Sequence, residues 1–157
     1  MSVRITELST ASDPTSDRFQ VLAGSGEPGS DMLLAKIQVR KGSEPPLRRH
    51  RHEDLLMYVL DGCLTFEIEG QRQPASRGSW VVVPKGSAHG FIVDSVTARI
   101  LMIVTPAGAE EHLAQLFGPG VGPDGGPSNG SSATFDRLVT TAARYGVDIT
   151  GPAPTPT

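Results

Sequence analysis

The chain has 157 residues, 38% of them hydrophobic, which is enough to build one hydrophobic core and too few for two comfortable domains. A net charge of -3 at pH 7 argues against nucleic acid as a partner, because nucleic-acid-binding surfaces carry an excess of positive charge. A cytoplasmic protein without membrane partners is expected, since no apolar run approaches bilayer length and the N-terminus lacks the layout of a signal peptide.

Polar and turn-forming residues dominate the first part of the chain. They predict an N-terminal arm over residues 1–30, in which the apolar patch Phe19–Leu22 forms an edge strand. Over Met32–Arg40 one apolar residue follows at every second position, and this period of two predicts a half-buried strand. We expect this strand to end before Pro45 and Pro46, because proline has no N–H group to donate to a β-ladder.

Five more β-prone runs follow at short intervals, separated by Gly and Pro turns. They are Leu55–Leu60, Leu64–Ile68, Trp80–Val83, His89–Val93 and Ala98–Thr105. In the second run apolar and polar residues alternate, whereas the third is apolar on both faces. Short strands at this spacing favour an all-β sandwich or barrel, which we place at residues 31–106.

Beyond the β-prone runs, residues 107–150 carry the patterns of two short helices. In the first, Ala109–Phe117, the apolar residues Leu113 and Leu116 lie at helical spacing. Acidic residues occupy its first turn, where they complement the helix dipole. His112 in this segment is expected to lie on the surface of the protein.

The remaining C-terminal residues predict a loop, a helix and a tail. Residues 118–132 are mostly Gly, Pro, Ser and Asn, a composition that indicates either a disordered loop or a mobile lid. The second helix is predicted over Phe135–Tyr145, with Thr134 as its N-cap and Gly146 as its stop. The Pro-rich residues 151–157 predict a flexible tail.

Titratable side chains crowd the segment Arg48–Asp54, directly before one of the predicted strands. Two glycine-framed patterns are built on and after this segment. The first reads Gly, five residues, Arg, one residue, His, four residues, Leu, six residues, Gly; the second reads Gly, five residues, Pro, one residue, Gly, two residues, His, three residues, Val. Their fixed positions are Gly42, Arg48, His50, Leu55 and Gly62, then Gly78, Pro84, Gly86, His89 and Val93. This spacing resembles the two motifs of the cupin family, and the resemblance covers roughly residues 30–106.

The resemblance implies a double-stranded β-helix, the jelly-roll barrel of single-domain bacterial cupins, followed by two short C-terminal helices. Cupins bind a divalent metal through three His and one Glu, but here Arg48 occupies a His position and Leu55 the Glu position. Only His50 and His89 remain, so the metal site is degenerate. Pairing His50 with His52 instead breaks the spacing to the flanking glycines, and His52 is therefore interpreted as a solvated loop residue.

Six side chains are implied by this resemblance to face the barrel cavity: Arg48, His50 and His89 as catalytic groups, and Leu55, Met57 and Phe91 as substrate contacts. Two imidazoles alone hold a catalytic metal poorly, since such sites normally use three protein ligands. The Arg48 guanidinium stays protonated and would repel a divalent cation nearby. We therefore expect no cofactor and interpret Arg48 as a substitute for the charge of the metal, beside a neutral His50 or His89 that acts as general base.

The preferred function is metal-independent acid–base catalysis on an anionic or enolisable small molecule. The resemblance implies an isomerase, cyclase, dehydratase or decarboxylase, since some cupins act as cyclases or isomerases in secondary metabolism, including polyketide-cyclase-like enzymes. A non-catalytic alternative is a small-molecule-binding cupin, in which Arg48 swings out of the barrel and pairs with a carboxylate. The candidate carboxylates are those of Glu53, Asp54 and Asp61.

A second alternative keeps a metal ion in the site. Glu53 or His52 would join His50 and His89 around Fe, Mn, Ni or Zn, and the protein would resemble the quercetinase-like, metal-dependent dioxygenases. This arrangement requires a backbone shift that rotates a neighbouring donor inward. The resemblance also implies a homodimer, because cupins commonly pair through their sheets.

Overall fold

The computed structural model describes residues 19–24, 31–108, 112–113 and 132–156. Ten strands and helix α1 lie in these ranges. In chain order they are β1 (Phe19–Ala23), β2 (Leu33–Arg40), β3 (Leu47–His50), β4 (Asp54–Asp61), β5 (Cys63–Ile68), β6 (Gln71–Ser76), β7 (Trp80–Val83), β8 (His89–Val93), β9 (Thr97–Thr105), α1 (Ser132–Arg144) and β10 (Val147–Gly151). No helix in the described ranges is long and apolar enough to cross a membrane.

The strands form two five-stranded sheets. Sheet I has the order β1-β2-β9-β4-β7, and sheet II has the order β10-β3-β8-β5-β6. Neighbouring strands pair antiparallel throughout both sheets. From β2 to β9 the chain passes from one sheet to the other at every connection except the hairpin β5–β6. The predicted all-β fold, a double-stranded β-helix, is therefore confirmed.

One hydrophobic core fills the space between the two sheets, because the strands alternate between buried and half-buried residues. In β2, β4 and β9 every second side chain is buried. Ile37, Met57, Phe91 and Ile100 are fully shielded from solvent. Burying such a side chain contributes about 1.5–3 kcal/mol, so the register of these strands is strongly fixed.

The predicted strands are all found, with small shifts at their ends. The edge position of β1 agrees with the prediction for Phe19–Leu22. Strand β7 was predicted to be apolar on both faces, and it lies at the other edge of sheet I, where Trp80 and Val82 are exposed to solvent. Strands β3, β6 and β10 were not predicted, because β3 and β6 are mostly polar and β10 has only five residues, directly after the predicted helix.

Helix α1 begins earlier than the sequence pattern suggested. It starts at Ser132, so Thr134 lies inside its first turn and the predicted N-cap is wrong. Its end agrees with the prediction, since Gly146 adopts a φ of 74°, a left-handed conformation that glycine adopts readily. The chain then turns directly into β10, which pairs with β3.

The residues after β10 pack against sheet II, and the prediction of a flexible tail is wrong for this segment. Pro154 is buried, with its ring next to Gly90 of β8. Arg72 of β6 donates a hydrogen bond of 3.0 Å to the Thr155 carbonyl oxygen. Proline has no N–H group that burial would leave unsatisfied, so a Pro-rich segment can pack on the face of a sheet at low cost.

Several predictions lie mainly outside the described residues. They concern the arm at residues 1–18 and the loop at residues 118–131. Of the predicted helix Ala109–Phe117, the structure describes His112 and Leu113, and both are helical. Both are also fully buried, so the prediction of a surface position for His112 is wrong.

Candidate functional site

Strand β3 carries two of the predicted site residues into the barrel. It is the second strand of sheet II, held between β10 and β8. Because side chains alternate along a strand, Arg48 and His50 point to the same face, and both are buried, with exposures of 0% and 1%. His89 of β8 lies directly opposite Arg48 in the register and is also 0% exposed. The structure therefore brings together the three residues predicted as catalytic.

A buried carboxylate completes the environment of His50. The chain bends at Arg51 and His52, which are both exposed, and this bend turns Glu53 back into the protein. Glu53 Oε2 lies 2.7 Å from His50 Nδ1. A carboxylate oxygen accepts, so Nδ1 carries the hydrogen and Nε2 of the neutral ring presents a lone pair. The interpretation of His52 as a solvated loop residue agrees with its exposure.

His89 is held in the same tautomer by a different partner. Its Nδ1 lies 3.1 Å from the carbonyl oxygen of Ser87, which can only accept a hydrogen bond. The His50 and His89 rings are stacked, with centroids 5.5 Å apart and an angle of 27° between their planes. Neither Nε2 atom has a hydrogen-bond partner among the described residues. Each of the two stacked rings therefore carries a buried lone pair that no described residue engages.

His112 supplies a third imidazole, although a surface position is predicted for it from the sequence. Its ring lies edge-on to His50, with centroids 6.4 Å apart, and it stacks on Tyr145 from its other side at 6.2 Å. Within the described part of the chain, neither of its ring nitrogens has a hydrogen-bond partner. A signal for burial was available, because His112 lies four residues before Leu116 and belongs to the apolar face of the predicted helix.

The electrostatics of the site are set by burial and by Arg48. Burial lowers the pKa of Arg48 from 12.5 to about 10, so the guanidinium remains protonated at neutral pH. It donates a hydrogen bond of 3.2 Å to the Pro46 carbonyl oxygen. Burial is the main cause that lowers the pKa of each imidazole, and the Arg48 charge lowers it further, for His112 to about 3. The site thus holds one cation among three neutral imidazoles.

The predicted substrate contacts lie in the core of the barrel. Leu55, Met57 and Phe91 are buried members of the hydrophobic cluster between the sheets. The Phe91 ring packs against Phe66, with centroids 5.7 Å apart. Their contact with a ligand stays a prediction.

Arg48 does not adopt the outward orientation of the non-catalytic alternative. The carboxylates named for that alternative make other contacts, since Glu53 bonds His50 and Asp54 accepts from the Lys85 backbone N–H. Asp61 lies 3.6 Å from Arg99.

The donor set does not fit the four-ligand metal centre that the motif spacing implies. Arg48 and Leu55 offer no lone pair at two of the four positions. Glu53 does turn inward, but its carboxylate is engaged by His50 Nδ1 and lies behind the ring. Across the residues that the structure describes, no group of three His, Cys, Asp or Glu side chains is arranged to hold a metal ion.

Comparisons with known proteins agree with the observed fold. The family model named Cupin domain matches residues 35–104. Quercetin 2,3-dioxygenase of Bacillus subtilis (strain 168) is 30% identical over 100 residues, which cover 62% of this chain and 29% of that enzyme.

Solved structures show the same architecture at low sequence identity. KdgF from Halomonas sp. has a TM-score of 0.55 at 19% identity, over 64% of this chain and 87% of its own. A predicted oxalate decarboxylase from Thermotoga maritima has a TM-score of 0.53 at 20% identity, over 56% of this chain and 78% of its own. At these identities the two structures support the fold alone. Together with the paired motifs and the two-sheet barrel, these matches identify residues 35–104 as a cupin domain.

Proposed function

We propose that the protein catalyses metal-independent acid–base chemistry on an anionic or enolisable small molecule. The observation that carries this proposal is the fully buried, protonated Arg48 beside His50, His89 and His112, all of which are neutral at pH 7. Buried charges are costly to maintain, and strongly shifted groups that cluster in a protein interior are typical of functional sites.

His50 is the general base in this proposal. Its Nε2 lone pair faces the interior, and the ring is neutral at pH 7 because burial lowers its pKa. When Nε2 takes a proton, the imidazolium that forms is stabilised by the Glu53 carboxylate on the opposite nitrogen. Glu53 is a positioning residue, because it acts through His50.

Arg48 stabilises the negative charge that develops on the substrate when a proton is removed. At an effective dielectric constant of 20, two unit charges 4 Å apart interact by about 4 kcal/mol, and exclusion of water increases this value. A fixed guanidinium also needs no reorganisation during the reaction. The same enolate, phenolate or carboxylate stabilisation serves isomerisation, cyclisation, dehydration and decarboxylation, so the site supports this group of reactions.

A metal-dependent dioxygenase is the second candidate, favoured by the 30% identity to quercetin 2,3-dioxygenase. Against it stand the guanidinium and the aliphatic side chain at two of the four ligand positions, Arg48 and Leu55. We therefore rank it below acid–base catalysis and derive no step through a metal.

The proposal is tested with para-nitrophenol, whose phenolate form absorbs at a longer wavelength than the phenol. Near the pKa of the dye, the wild-type protein should shift bound dye toward the phenolate by roughly tenfold or more. Arg48→Gln should abolish the shift. Arg51→Gln is the matched control, because Arg51 is exposed and pairs with Asp148 at the surface. A wild-type protein that binds no phenolate, or an Arg48→Gln variant that binds it equally well, would refute the proposed role.

A further inference from the structure

We infer that this site takes an α-hydroxycarbonyl compound, with His112 donating a hydrogen bond to its carbonyl oxygen and His89 accepting one from its hydroxyl group. The inference rests on the proposed function, since it names the substrate class and a further substrate-binding residue of the same site. The substrate class is inferred from the hydrogen-bond donors and acceptors that the site offers to a ligand.

Two of the three imidazoles offer only acceptors. His50 Nδ1 donates to Glu53, and His89 Nδ1 donates to the Ser87 carbonyl oxygen. A neutral imidazole carries a single N–H, so both Nε2 atoms present lone pairs to the interior. In their neutral forms these two residues cannot donate a hydrogen bond to a carbonyl oxygen.

His112 is the imidazole that can donate. Within the described residues neither of its nitrogens is held by a hydrogen bond, so either tautomer is open to it. Its ring is fully buried and lies edge-on to His50. A neutral imidazole is an effective hydrogen-bond donor to a carbonyl that is being converted into an enolate, because it cannot protonate the oxygen prematurely.

The complete set of groups matches one arrangement of substrate atoms. Arg48 and His112 are donors for an oxygen that gains negative charge, and the His50 lone pair accepts the proton from carbon. A simple ketone would satisfy these three groups and leave the His89 Nε2 atom, which is buried, still without a partner. A hydroxyl group on the carbon next to the carbonyl supplies the missing donor.

The reaction that this arrangement supports is balanced without a co-reactant. His50 Nε2 takes the proton from the carbon that bears the hydroxyl, and the C–H electron pair forms the C=C bond of an enediolate. The carbonyl oxygen takes the negative charge, held by Arg48 and His112. The hydroxyl proton passes through His89 to that oxygen, and His50 returns its proton to the former carbonyl carbon. The product is the isomeric hydroxycarbonyl compound.

The experiment follows proton exchange in D2O by NMR with acetoin and dihydroxyacetone as probes. Wild-type protein should accelerate deuterium incorporation at the carbon that bears the hydroxyl group. Butan-2-one is the matched control compound, because it lacks the hydroxyl, and it should exchange no faster than in buffer. His112→Leu should slow exchange by roughly 100-fold, the usual cost of losing one oxyanion donor, whereas His112→Gln, which keeps an N–H donor, should retain more of the rate.

Binding of para-nitrophenolate, measured in the same samples, distinguishes a wrong substrate class from a wrong proposed function. If wild-type protein binds the phenolate but exchanges neither hydroxyketone, the substrate class is refuted and the proposed function stands. If exchange is seen and both His112 variants match the wild type, the role of His112 is refuted. If wild-type protein neither binds the phenolate nor exchanges the probes, the proposed function fails together with this inference. Circular dichroism of His112→Leu shows whether the variant is folded, independently of ligand binding.

Discussion

The Nδ1 atom of His50 lies 2.7 Å from Glu53 Oε2, and both residues are shielded from water. This hydrogen bond fixes the tautomer of the ring and directs its free lone pair into the barrel. It also explains why an inward-facing Glu53 does not complete a metal centre, since the carboxylate lies on the far side of the imidazole.

Removing the Glu53 carboxylate should lower the pKa of His50 further. Its hydrogen bond and its charge both raise that pKa, in opposition to burial and to Arg48. We expect Glu53→Ala to move the His50 titration to lower pH, as measured by NMR of the ring carbon-bound protons. Glu67→Ala is the control, because Glu67 pairs with Arg72 on the other side of sheet II and should leave the titration unchanged. A higher pKa of His50 in Glu53→Ala would contradict this account.

Buried neutral His112 should make the protein sensitive to acid. Its pKa is lowered from 6.5 to about 3 on folding, so below pH 6.5 the unfolded chain binds more protons than the folded chain. The free energy of unfolding contributed by this group is therefore intact above pH 6.5 and is lost as the pH falls toward 3. His112→Phe should reduce the loss between pH 6.5 and 4.5 by about 2–3 kcal/mol, measured by urea unfolding.

His52 provides the control for this prediction. It is an exposed histidine on the bend after β3, and His52→Phe should leave the acid sensitivity as in the wild type. Equal acid sensitivity of the wild type and His112→Phe would show that His112 is not buried in its neutral form.

Two substitutions should create the metal centre that the family motif describes. We expect wild-type protein purified without chelator to carry no stoichiometric metal, because Arg48 and Leu55 stand where the family resemblance implies two of the ligands. Arg48→His combined with Leu55→Glu supplies two more ligands beside His50 and His89, and calorimetry should then detect zinc binding. Elemental analysis of both proteins checks the expectation. A first-row metal bound stoichiometrically by wild-type protein and lost in His50→Ala would overturn it.

Gly62 should tolerate no side chain. It has a φ of 92°, and a Cβ atom there would lie 2.5 Å from the Thr97 carbonyl oxygen and 2.9 Å from the Ala98 Cα. Gly62→Ala should therefore lower the free energy of unfolding by roughly 3 kcal/mol or more. Gly42→Ala isolates the backbone effect, because Gly42 has a φ of 88° and open space around it, and it should cost about 1–2 kcal/mol. Equal costs for the two variants would show that the contact at Gly62 relaxes.

The fold could be predicted because its signals are local. Alternation along β2 and β5 gave the strands, and glycines at fixed spacing marked the turns, as Gly62 and Gly78 show with their left-handed conformations. The same spacing located Arg48, His50 and His89, which the barrel brings together. Strand β3 itself carries no apolar pattern, so its inward face followed from the family resemblance rather than from periodicity.

The parts of the site that were missed depend on contacts distant in sequence. His112 follows two acidic residues and has the appearance of a surface residue, and its burial depends on packing against His50, 62 positions earlier. Strand β10 was missed because it has only five residues and its pairing partner β3 is distant in sequence. Glu53 was weighed as a metal ligand, but its hydrogen bond to His50 became evident only from the bend at residues 51–52.

The pairing of β10 with β3 also links the site to the order in which the strands are synthesised during translation. Arg48 and His50 lie on a strand that has β8 on one side and residues 147–151 on the other. During translation the first nine strands leave the ribosome while this second neighbour is still missing, and the backbone of β3 is then an open edge. A nascent chain can thus pair the other strands of both sheets while the edge of β3, the strand that carries Arg48 and His50, stays unpaired until residues 147–151 are added.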